Sequence, residues 1–410
     1  MAISVTASER ARIRSAFPAL AGNFAFLENA GGSQVPAVVA DRIRDYMLTT
    51  YVQVGAGYPL SAAATQIVAD AHAFVRMFMN GDNGHVILGS STTTLLRMLA
   101  DCYAEVLRPG QEIILAETAH EANHGPWTRL ASRGLVIRPW RMDPVSFTCS
   151  LDELAGLLTP RTALVAFPHV SNLLGGIADV RAVTALAHRA GARVVVDGVA
   201  YAPHRAIDVQ AWDVDWYAYS TYKVYGPHMA ALYGRQDALA ELTGPNHFFV
   251  PRDEVPYKFE PGGPSHEGCA GLLALGEYLK LVAGDETDRL CDRHTVTKAF
   301  AIMTALERPL QEMLIAHLKA QPAVRLIGPV ATDDSRVPTV SFTHRTLTSR
   351  EIAARVQAAS IGIRHGHMYA YHLVRALGLD PADGVVRASF VHYNTPEEAS
   401  RLVAALAAIC

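Results

Sequence analysis

A single lysine between two apolar strands constrains this chain more than any other feature. Residues 214–219 alternate and are rich in aromatic side chains, as a half-buried strand requires, and Met229–Tyr233 is a second short apolar run. Gly226 and Pro227 separate the two runs, so Lys223 lies in a turn between strands. A lysine held there loses hydration, which lowers its pKa and leaves a neutral amine able to attack a carbonyl.

An upstream carboxylate gives the lysine a chemical context. Taken alone, Lys223 is more simply interpreted as a surface lysine of a hairpin. Arg193–Asp197, however, has the pattern of a buried strand ending in an acidic residue, and open α/β sheets bind ligands at the carboxyl ends of their strands. Asp197 can therefore pair with a protonated ring nitrogen of a ligand that also reacts with Lys223.

A third segment has the pattern of an anion-binding site. Val86–Thr94 reads as a strand, a turn of small hydroxyl residues and the start of a helix. Free backbone N–H groups and the helix dipole converge at such a turn. An ordinary helix N-cap is the alternative, but together with Lys223 and Asp197 the turn predicts a phosphate site.

Three strings give the chain a family pattern: Asp197–His204, Ile207–Asp213, and Ser220–Lys223 with Tyr225–Pro227. They resemble the core of the fold-type I, class V pyridoxal-phosphate enzymes, most of all the cysteine desulfurase and selenocysteine lyase branch. The resemblance extends from about Phe26 to the C-terminus. It implies an α/β fold with a large, mainly parallel sheet domain and a smaller α+β C-terminal domain. The expected boundaries are 21–280 for the large pyridoxal-phosphate-binding domain, with 1–20 and 281–410 in the small domain.

The resemblance also implies a role for each matching residue. Lys223 would form a Schiff base with pyridoxal 5′-phosphate and Asp197 would keep the pyridine protonated. His120, in a His-x-Ala-Asn string, would lie on the cofactor ring and transfer protons, and Arg387 would clamp the substrate carboxylate. Further cofactor contacts are implied for Thr92, Thr93, Ser220 and Tyr222 at the phosphate, Asn172 at the ring 3′ oxygen or the substrate carboxylate, and Gly262 and Gly263 at a partner's phosphate. The implied assembly is a homodimer with shared active sites.

Four positions depart from the family pattern. Tyr369 stands where desulfurases carry the persulfide-forming cysteine, and Ala200 replaces a Gln or His expected at the cofactor's 3′ oxygen. Gly263 replaces a threonine, and Val54-Gly55 replaces a His-Arg pair. Tyr201 or Asn172 could compensate for Ala200. These departures leave cofactor binding intact and change the expected reaction.

We therefore predict a lyase that eliminates sulfur or selenium from an amino-acid substrate without a protein persulfide. Transamination, epimerisation and decarboxylative or aldol-type C–C bond formation remain alternatives, as does a protein that only binds the cofactor. Tyr369 is expected to act as a proton donor to the leaving group or as a wall of the pocket. An intact lysine, aspartate and arginine together favour catalysis over binding alone.

Charge and cysteine content exclude several other classes. The net charge of −3 gives no sign of nucleic-acid or anionic-membrane binding, and no apolar stretch is long enough to span a bilayer. The five cysteines are scattered without Cys-x-x-Cys spacing, which argues against a disulfide framework or a metal site. The N-terminal residues lack an apolar core, so we expect a cytoplasmic protein.

Overall fold

A computed structural model describes residues 5–409. Residues 1–4, where the targeting prediction begins, and Cys410 lie outside the described residues. The strands are β1 (Ala25–Phe26), β2 (Gly84–Gly89), β3 (Glu112–Ala116), β4 (Val136–Trp140), β5 (Thr162–Pro168), β6 (Arg193–Asp197), β7 (Trp216–Ser220), β8 (Ala230–Arg235), β9 (Val324–Ile327), β10 (Thr339–His344), β11 (Ile361–Gly362), β12 (Arg364–Gly366) and β13 (Val385–Ser389).

Helices alternate with the strands through most of the chain. Capping boxes, in which a threonine and a glutamate satisfy free N–H groups, begin the first, eleventh and thirteenth helices. The helices are α1 (Ala7–Ser15), α2 (Ala37–Thr49), α3 (Pro59–Phe78), α4 (Thr92–Val106), α5 (Gly125–Thr128), α6 (Leu151–Leu157), α7 (Val180–Arg189), α8 (Gln236–Glu241), α9 (His266–Ala283), α10 (Arg293–Lys319), α11 (Ser349–Ala358), α12 (Tyr371–Ala376) and α13 (Pro396–Ala407).

Seven strands form one large sheet in the order β2-β8-β7-β6-β5-β3-β4. Neighbouring strands run parallel except β8, which is antiparallel to both β2 and β7. Both faces of the sheet are covered, since Val194 and Val196 of β6 belong to one hydrophobic cluster and Val195 to another. Such two-sided burial explains why the inner strands are continuous apolar runs. The predicted mainly parallel sheet is confirmed.

The order of the inner strands positions the predicted site. Helix α7 connects the parallel neighbours β5 and β6, and in the register Pro168 faces Asp197 while Asp197 faces Ala218. Asp197 therefore ends β6 at the carboxyl edge of the sheet. Lys223 follows β7 in a short 3-10 helix, Thr221–Lys223, before the chain returns along β8.

A second sheet has the order β12-β13-β10-β9, with all neighbours antiparallel. The short strand β1 pairs in parallel with β11, so the N-terminal part of the chain is joined to the C-terminal part. Arg387 lies in the middle of β13, opposite Ser341 of β10 and Arg364 of β12. The domain boundaries given above stay a prediction.

Two prolines mark features of the helices. Helix α10 continues for 27 residues and includes Pro309. Helix α1 ends at Ser15, and Pro18 then begins a 3-10 turn. No helix within residues 5–409 has the length and apolar character needed to cross a membrane.

Candidate active site

Lys223 is fixed by the chain on both sides of its turn. Its Nζ donates a hydrogen bond to the backbone oxygen of Ala30, 2.9 Å away, in the Gly-Gly turn that follows β1. The hydroxyl of Ser33 donates to the Tyr222 carbonyl and accepts from the Tyr225 N–H, so this turn is anchored against the lysine turn. Loss of hydration, reinforced by the nearby Arg387 charge, lowers the pKa of Lys223 to about 8. The Gly-Gly turn therefore lies beside Lys223.

Asp197 is a buried carboxylate at the carboxyl edge of the sheet. Burial raises its pKa, while the Val199 N–H, 2.9 Å from Oδ1, and the Lys223 charge lower it. Val199 supplies the one hydrogen bond that its side chain receives among the described residues. A cationic ring N–H in the pocket would complete the hydrogen bonding of this carboxylate and offset the cost of its burial.

The first turn of α4 forms the opposite end of the pocket. Ser91 caps the helix by accepting from the Thr94 N–H at 3.1 Å, and the hydroxyls of Thr92 and Ser220 lie 2.8 Å apart. The first N–H groups of a helix lack intrahelical partners and attract anions. The structure thus brings the hydroxyls expected at the phosphate to a helix N-terminus.

Eight of the predicted residues line this one pocket. Its lining also includes Ser91, Ala122, Pro168, Val170, Val199 and Ala200, which supply walls without charge. The eight are Thr92, Thr93, His120, Asn172, Asp197, Ser220, Tyr222 and Lys223.

His120 has a defined tautomer. Its Nδ1 accepts a hydrogen bond from the Ala122 N–H at 3.0 Å, so the ring proton of the neutral form lies on Nε2. Burial, together with the positive charges of Lys223 and Arg387, lowers the pKa of His120 to about 4. The imidazole is therefore neutral at physiological pH, with one N–H to donate and an uncharged face to lay against a ring.

Arg387 is the most deeply buried charge of the site, with 2% of its surface exposed. Its Nη1 donates to the backbone oxygen of Asn172 at 3.0 Å, and Nη2 lies 3.9 Å from Glu28 Oε1. Its Nε is buried without a hydrogen-bond partner among the described residues. A buried guanidinium with an unused donor is suited to a carboxylate ligand.

The Asn172 amide is held by the backbone of Met368. Its Nδ2 donates to the backbone oxygen of Met368 at 2.8 Å, and its Oδ1 is buried without a partner among residues 5–409. In this orientation the amide offers an acceptor to the pocket. Its predicted contact with the ring oxygen or the substrate carboxylate stays a prediction.

Tyr369 covers the outer side of the site. Its ring centroid lies 5.4 Å from that of His120, and 61% of its surface is exposed. Met368 and Tyr369 both have left-handed backbone conformations, with φ of 42° and 61°. Two consecutive non-glycine residues in this region cost conformational energy, so contacts elsewhere hold the segment in place.

Some residues singled out in the sequence lie outside the pocket. Gly262 and Gly263 form an exposed turn with φ of 81° and 75°, and nothing lies within 4 Å of the positions that a Cβ would take. Tyr201 stacks on His169 with ring centroids 3.6 Å apart instead of lining the pocket, while Ala200 does line it. The polar contact that Ala200 lacks is therefore not supplied by the Tyr201 side chain in this structure.

Two charged residues of the site were missed by sequence reasoning. Arg364 Nη1 contacts Glu28 Oε1 at 2.8 Å, and Glu28 in turn approaches Arg387. A signal was present, because Glu28 is an acidic residue directly before the Gly-Gly turn and Arg364 lies five residues before Tyr369. Their proximity depends on the pairing of β12 with β13.

These observations fit pyridoxal phosphate. The pocket combines an amine of lowered pKa, a buried carboxylate short of hydrogen bonds, a helix N-terminus flanked by hydroxyls, and a neutral imidazole. The unused Nε of Arg387 adds a place for an acid group of a substrate. The aldehyde, the ring nitrogen, the ring face and the phosphate of the cofactor thus each have a matching group in the protein. For its 3′ oxygen, Ala200 offers no side-chain donor and the Asn172 Nδ2 donates to Met368 instead.

Comparison with known proteins agrees with the geometry. Residues 25–402 match the family model "Aminotransferase class-V". The chain is 39% identical to the "Aminotransferase-like protein FGM3" of Gibberella zeae, over 96% of each chain, and 32% identical to a "Cysteine desulfurase" of Serratia proteamaculans, over 96% of this chain and 97% of that protein. The apo structure of a cysteine desulfurase from Thermococcus onnurineus superposes with a TM-score of 0.87 at 25% identity, covering 100% of this chain and 99% of the other. The protein is therefore an enzyme of the pyridoxal-phosphate-dependent class V aminotransferase family, similar to its cysteine desulfurases.

Proposed function

We propose that the protein binds pyridoxal phosphate at Lys223 and breaks the bond between Cβ and sulfur or selenium in a cysteine-type amino acid, without transferring the sulfur to a protein thiol. One observation carries the proposal. Within residues 5–409 the pocket around Lys223 and Asp197 has no cysteine in its lining, and Tyr369 stands at the position of the desulfurase nucleophile.

The chain's own groups would hold the cofactor at three points. Asp197 would accept from the ring N–H, and His120 would lie against the ring face. The first turn of α4 would take the phosphate, together with the hydroxyls of Thr92, Thr93, Ser220 and Tyr222. When bound, pyridoxal phosphate withdraws electrons from the Cα of an attached amino acid, which makes its Cα–H acidic.

Substrate binding would use the buried guanidinium. Arg387 would pair with the α-carboxylate through its free Nε and one Nη, which directs Cα towards Lys223. The Lys223 amine would then remove the Cα proton, since its pKa of about 8 leaves it partly neutral near physiological pH.

The leaving group would depart towards the outer side of the pocket. The Cβ–S bond breaks with its electron pair remaining on sulfur, and a proton from the Tyr369 hydroxyl or a nearby histidine neutralises the thiolate. With cysteine as substrate, hydrolysis of the remaining fragment yields pyruvate, ammonia and sulfide. Loss of sulfide to solvent follows from the absence of a thiol in the described pocket lining.

The reaction is tested on the purified protein saturated with pyridoxal phosphate and mixed with L-cysteine or L-selenocysteine. Equal amounts of pyruvate and sulfide or selenide, formed without added thiol, are expected. Conversion of the cofactor to its pyridoxamine form would instead identify a transaminase. No reaction with any of a panel of amino acids would contradict catalysis at Cα.

A second candidate, C–C bond formation or cleavage at the same Cβ, is favoured by an open cleft outside the pocket. This cleft, the vestibule, has a volume of about 560 Å³ and is lined by residues that include Thr93, His120, Arg129, Tyr222 and Tyr369. Three of these also line the inner pocket, so a second substrate could approach the reacting carbon there.

The two candidates give different products. An enzyme of the decarboxylative aldol type would break the bond between Cβ and a carboxylate, release CO₂ and join Cβ to an aldehyde. The larger amino acid would be detected by mass spectrometry, and no sulfide would be released from cysteine. An Arg129→Ala variant serves as a further probe. It would weaken the binding of a second substrate that carries a carboxylate, while leaving cysteine elimination unchanged.

We also propose a homodimer. The α2–α3 region exposes an apolar patch, and patches of this kind on soluble proteins mark interaction surfaces. Its members are Met47, Leu48, Tyr51, Val54, Tyr58 and Leu60, each at least 38% exposed. The exposed Gly262–Gly263 turn would then reach the partner's phosphate site. Light scattering on the purified protein should give twice the chain mass of 44.3 kDa, and Leu48→Glu should lower the mass towards that of one chain.

A further inference from the structure

Two imidazoles and a carboxylate meet at the edge of the vestibule, outside the cofactor pocket. The ligand atoms of Glu121, His124 and His372 all lie within 4.8 Å of one another. His372 Nε2 is 3.6 Å from Glu121 Oε2, and the rings of His124 and His372 stack with centroids 4.1 Å apart. We call these three residues the His–His–Glu cluster. Glu121 and His124 are three residues apart, but His372 follows about 250 residues later, which is why the sequence gave no sign of the cluster.

The chemistry of the cluster matches a transition-metal site. Two histidines and one glutamate form a familiar zinc ligand set that leaves a fourth position open. Ligands at about 2.0–2.1 Å from a tetrahedral ion lie roughly 3.4 Å from each other, close to the separation already present between Glu121 and His372.

The remaining adjustment involves side chains that are free to turn. Glu121 and His372 are both exposed, so rotation of their side chains displaces no packed neighbour. Nδ1 of His124 is buried without a hydrogen-bond partner among the described residues, so no bond through that atom fixes the ring. Rotation of these side chains, which includes unstacking of the two imidazole rings, would bring the three ligand atoms from within 4.8 Å of one another to the spacing that an ion needs.

The backbones that carry the ligands are themselves joined. The Glu121 N–H donates to the backbone oxygen of Tyr369 at 2.8 Å. This bond links the loop between β3 and α5, which we call the His120 loop, to the segment between β12 and α12, which we call the Tyr369 segment. His372 follows at the start of α12, and His124 precedes α5. The cluster thus spans the two segments that border the vestibule.

We propose that Glu121, His124 and His372 bind a divalent transition-metal ion of the zinc type, which ties the Tyr369 segment to the His120 loop at the vestibule edge. The imidazole content favours Zn²⁺, Cu²⁺ or Ni²⁺ over Mg²⁺, which prefers oxygen ligands. The site does not depend on the reaction proposed above. It departs from the sequence expectation of no metal site.

The alternative is a simple surface contact. A Glu–His pair at 3.6 Å with both side chains about half exposed contributes little to stability, and a stacked histidine pair can be ordinary packing. Metal binding and packing make different predictions for stoichiometry and for the effect of single substitutions.

For the test, the cofactor-loaded protein is first freed of unbound cofactor and of any chelator left from purification. It is then titrated with Zn²⁺ in competition with a chromophoric chelator. Co²⁺ absorbance serves as the second probe. We expect one high-affinity ion per chain and at least about a tenfold weaker affinity in His372→Ala and in Glu121→Gln, since even outer-shell changes cost that much. His294→Ala, at an exposed histidine of α10, is the matched control and should bind as the unmodified protein does.

Hydrogen exchange of the backbone amides of residues 367–373 measures independently whether the ion joins the Tyr369 segment to the His120 loop. Zn²⁺ should slow exchange there in the unmodified protein and in His294→Ala, and should have no effect in His372→Ala. Equal affinity in the unmodified protein and both ligand variants, or no ion retained at micromolar Zn²⁺, would overturn the proposal. Because His372 and Glu121 are exposed, the variants are expected to keep the fold, which thermal unfolding checks.

Discussion

The inner floor of the pocket and its outer mouth follow different rules. The floor, made by the ends of β6 and β7 and the first turn of α4, consists of residues that match the family pattern. The mouth, made by residues 361–376 and the loop that carries His120, contains the departure at Tyr369, which stands in the place of a cysteine, while Ala200 is a departure within the inner pocket. We therefore propose that the floor binds the cofactor and that the mouth influences which reaction the cofactor is used for.

The difference has a structural basis. Asp197, Ser220 and Thr92 of the floor are buried at the ends of strands or the start of a helix, while Tyr369 is 61% exposed in a left-handed segment. A substitution in the floor leaves a buried polar group without its partner, and water cannot enter to take the partner's place. A substitution at an exposed position of the mouth leaves the fold intact. Five experiments test this contrast.

Replacement of the floor lysine should have the largest effect. Lys223→Ala should lose the visible absorbance of the covalently attached cofactor and at least about a thousandfold in kcat, because no other amine lies in the described pocket. Lys298→Ala, an exposed lysine of α10, is the control and should be unchanged. A Lys223→Ala protein that keeps both the absorbance and turnover would break the assignment of the floor.

Two arginines compare a buried position in β13 with a partly exposed position in the mouth. Arg387→Ala should lower kcat/KM about a hundredfold, since it removes a buried charge that the substrate carboxylate needs. Arg364→Ala should cost less than about fivefold, because its pair with Glu28 is half exposed and screened. Steady-state kinetics with Arg387→Lys as a fold-preserving companion measures both, and equal losses at the two positions would remove the distinction.

The pKa of Lys223 gives the floor a pH dependence. The amine is neutral above its pKa of about 8, so attachment of the cofactor to the apo-protein should speed up about tenfold from pH 7 to pH 9. Stopped-flow absorbance measures this rate. A rate that falls or stays constant over this range would mean that Lys223 keeps its hydration.

The Tyr369 hydroxyl tests the chemical part of the mouth. Tyr369→Phe keeps the ring but removes the proton donor, so we expect about a tenfold loss in kcat with little change in KM. Tyr371→Phe, two residues away and 44% exposed, is the matched control. If only KM rises, Tyr369 is a wall of the pocket and the proton comes from His120 or His367.

Thiol alkylation should have the smallest effect. Burial raises the pKa of Cys102, Cys269 and Cys291 to about 12 and that of Cys149 to about 11, which keeps these thiols protonated and unreactive. Treatment of the folded protein with iodoacetamide should leave activity within about twofold of the untreated sample. Loss of activity after modification of one cysteine would reverse the view that the reaction needs no thiol.

The sequence by itself indicated the floor of the site. Asp197 and Lys223 each follow a strand whose apolar pattern is visible within a few residues, and parallel neighbours bring their carboxyl ends to the same edge. Thr92 was indicated by a strand, a hydroxyl-rich turn and a helix start that lie within one short segment. These inferences needed only local patterns and one family resemblance.

The tertiary structure alone decided how distant segments meet. The contacts of Arg387 with the Asn172 carbonyl, of Asn172 with the Met368 carbonyl, and of Glu28 with Arg364 join residues about 200 to 340 positions apart. The His–His–Glu cluster arises in the same way. No local pattern encodes such distances, because they are set by how the two sheets and their loops pack, and a shift of a few ångströms would separate the groups while leaving every strand and helix intact.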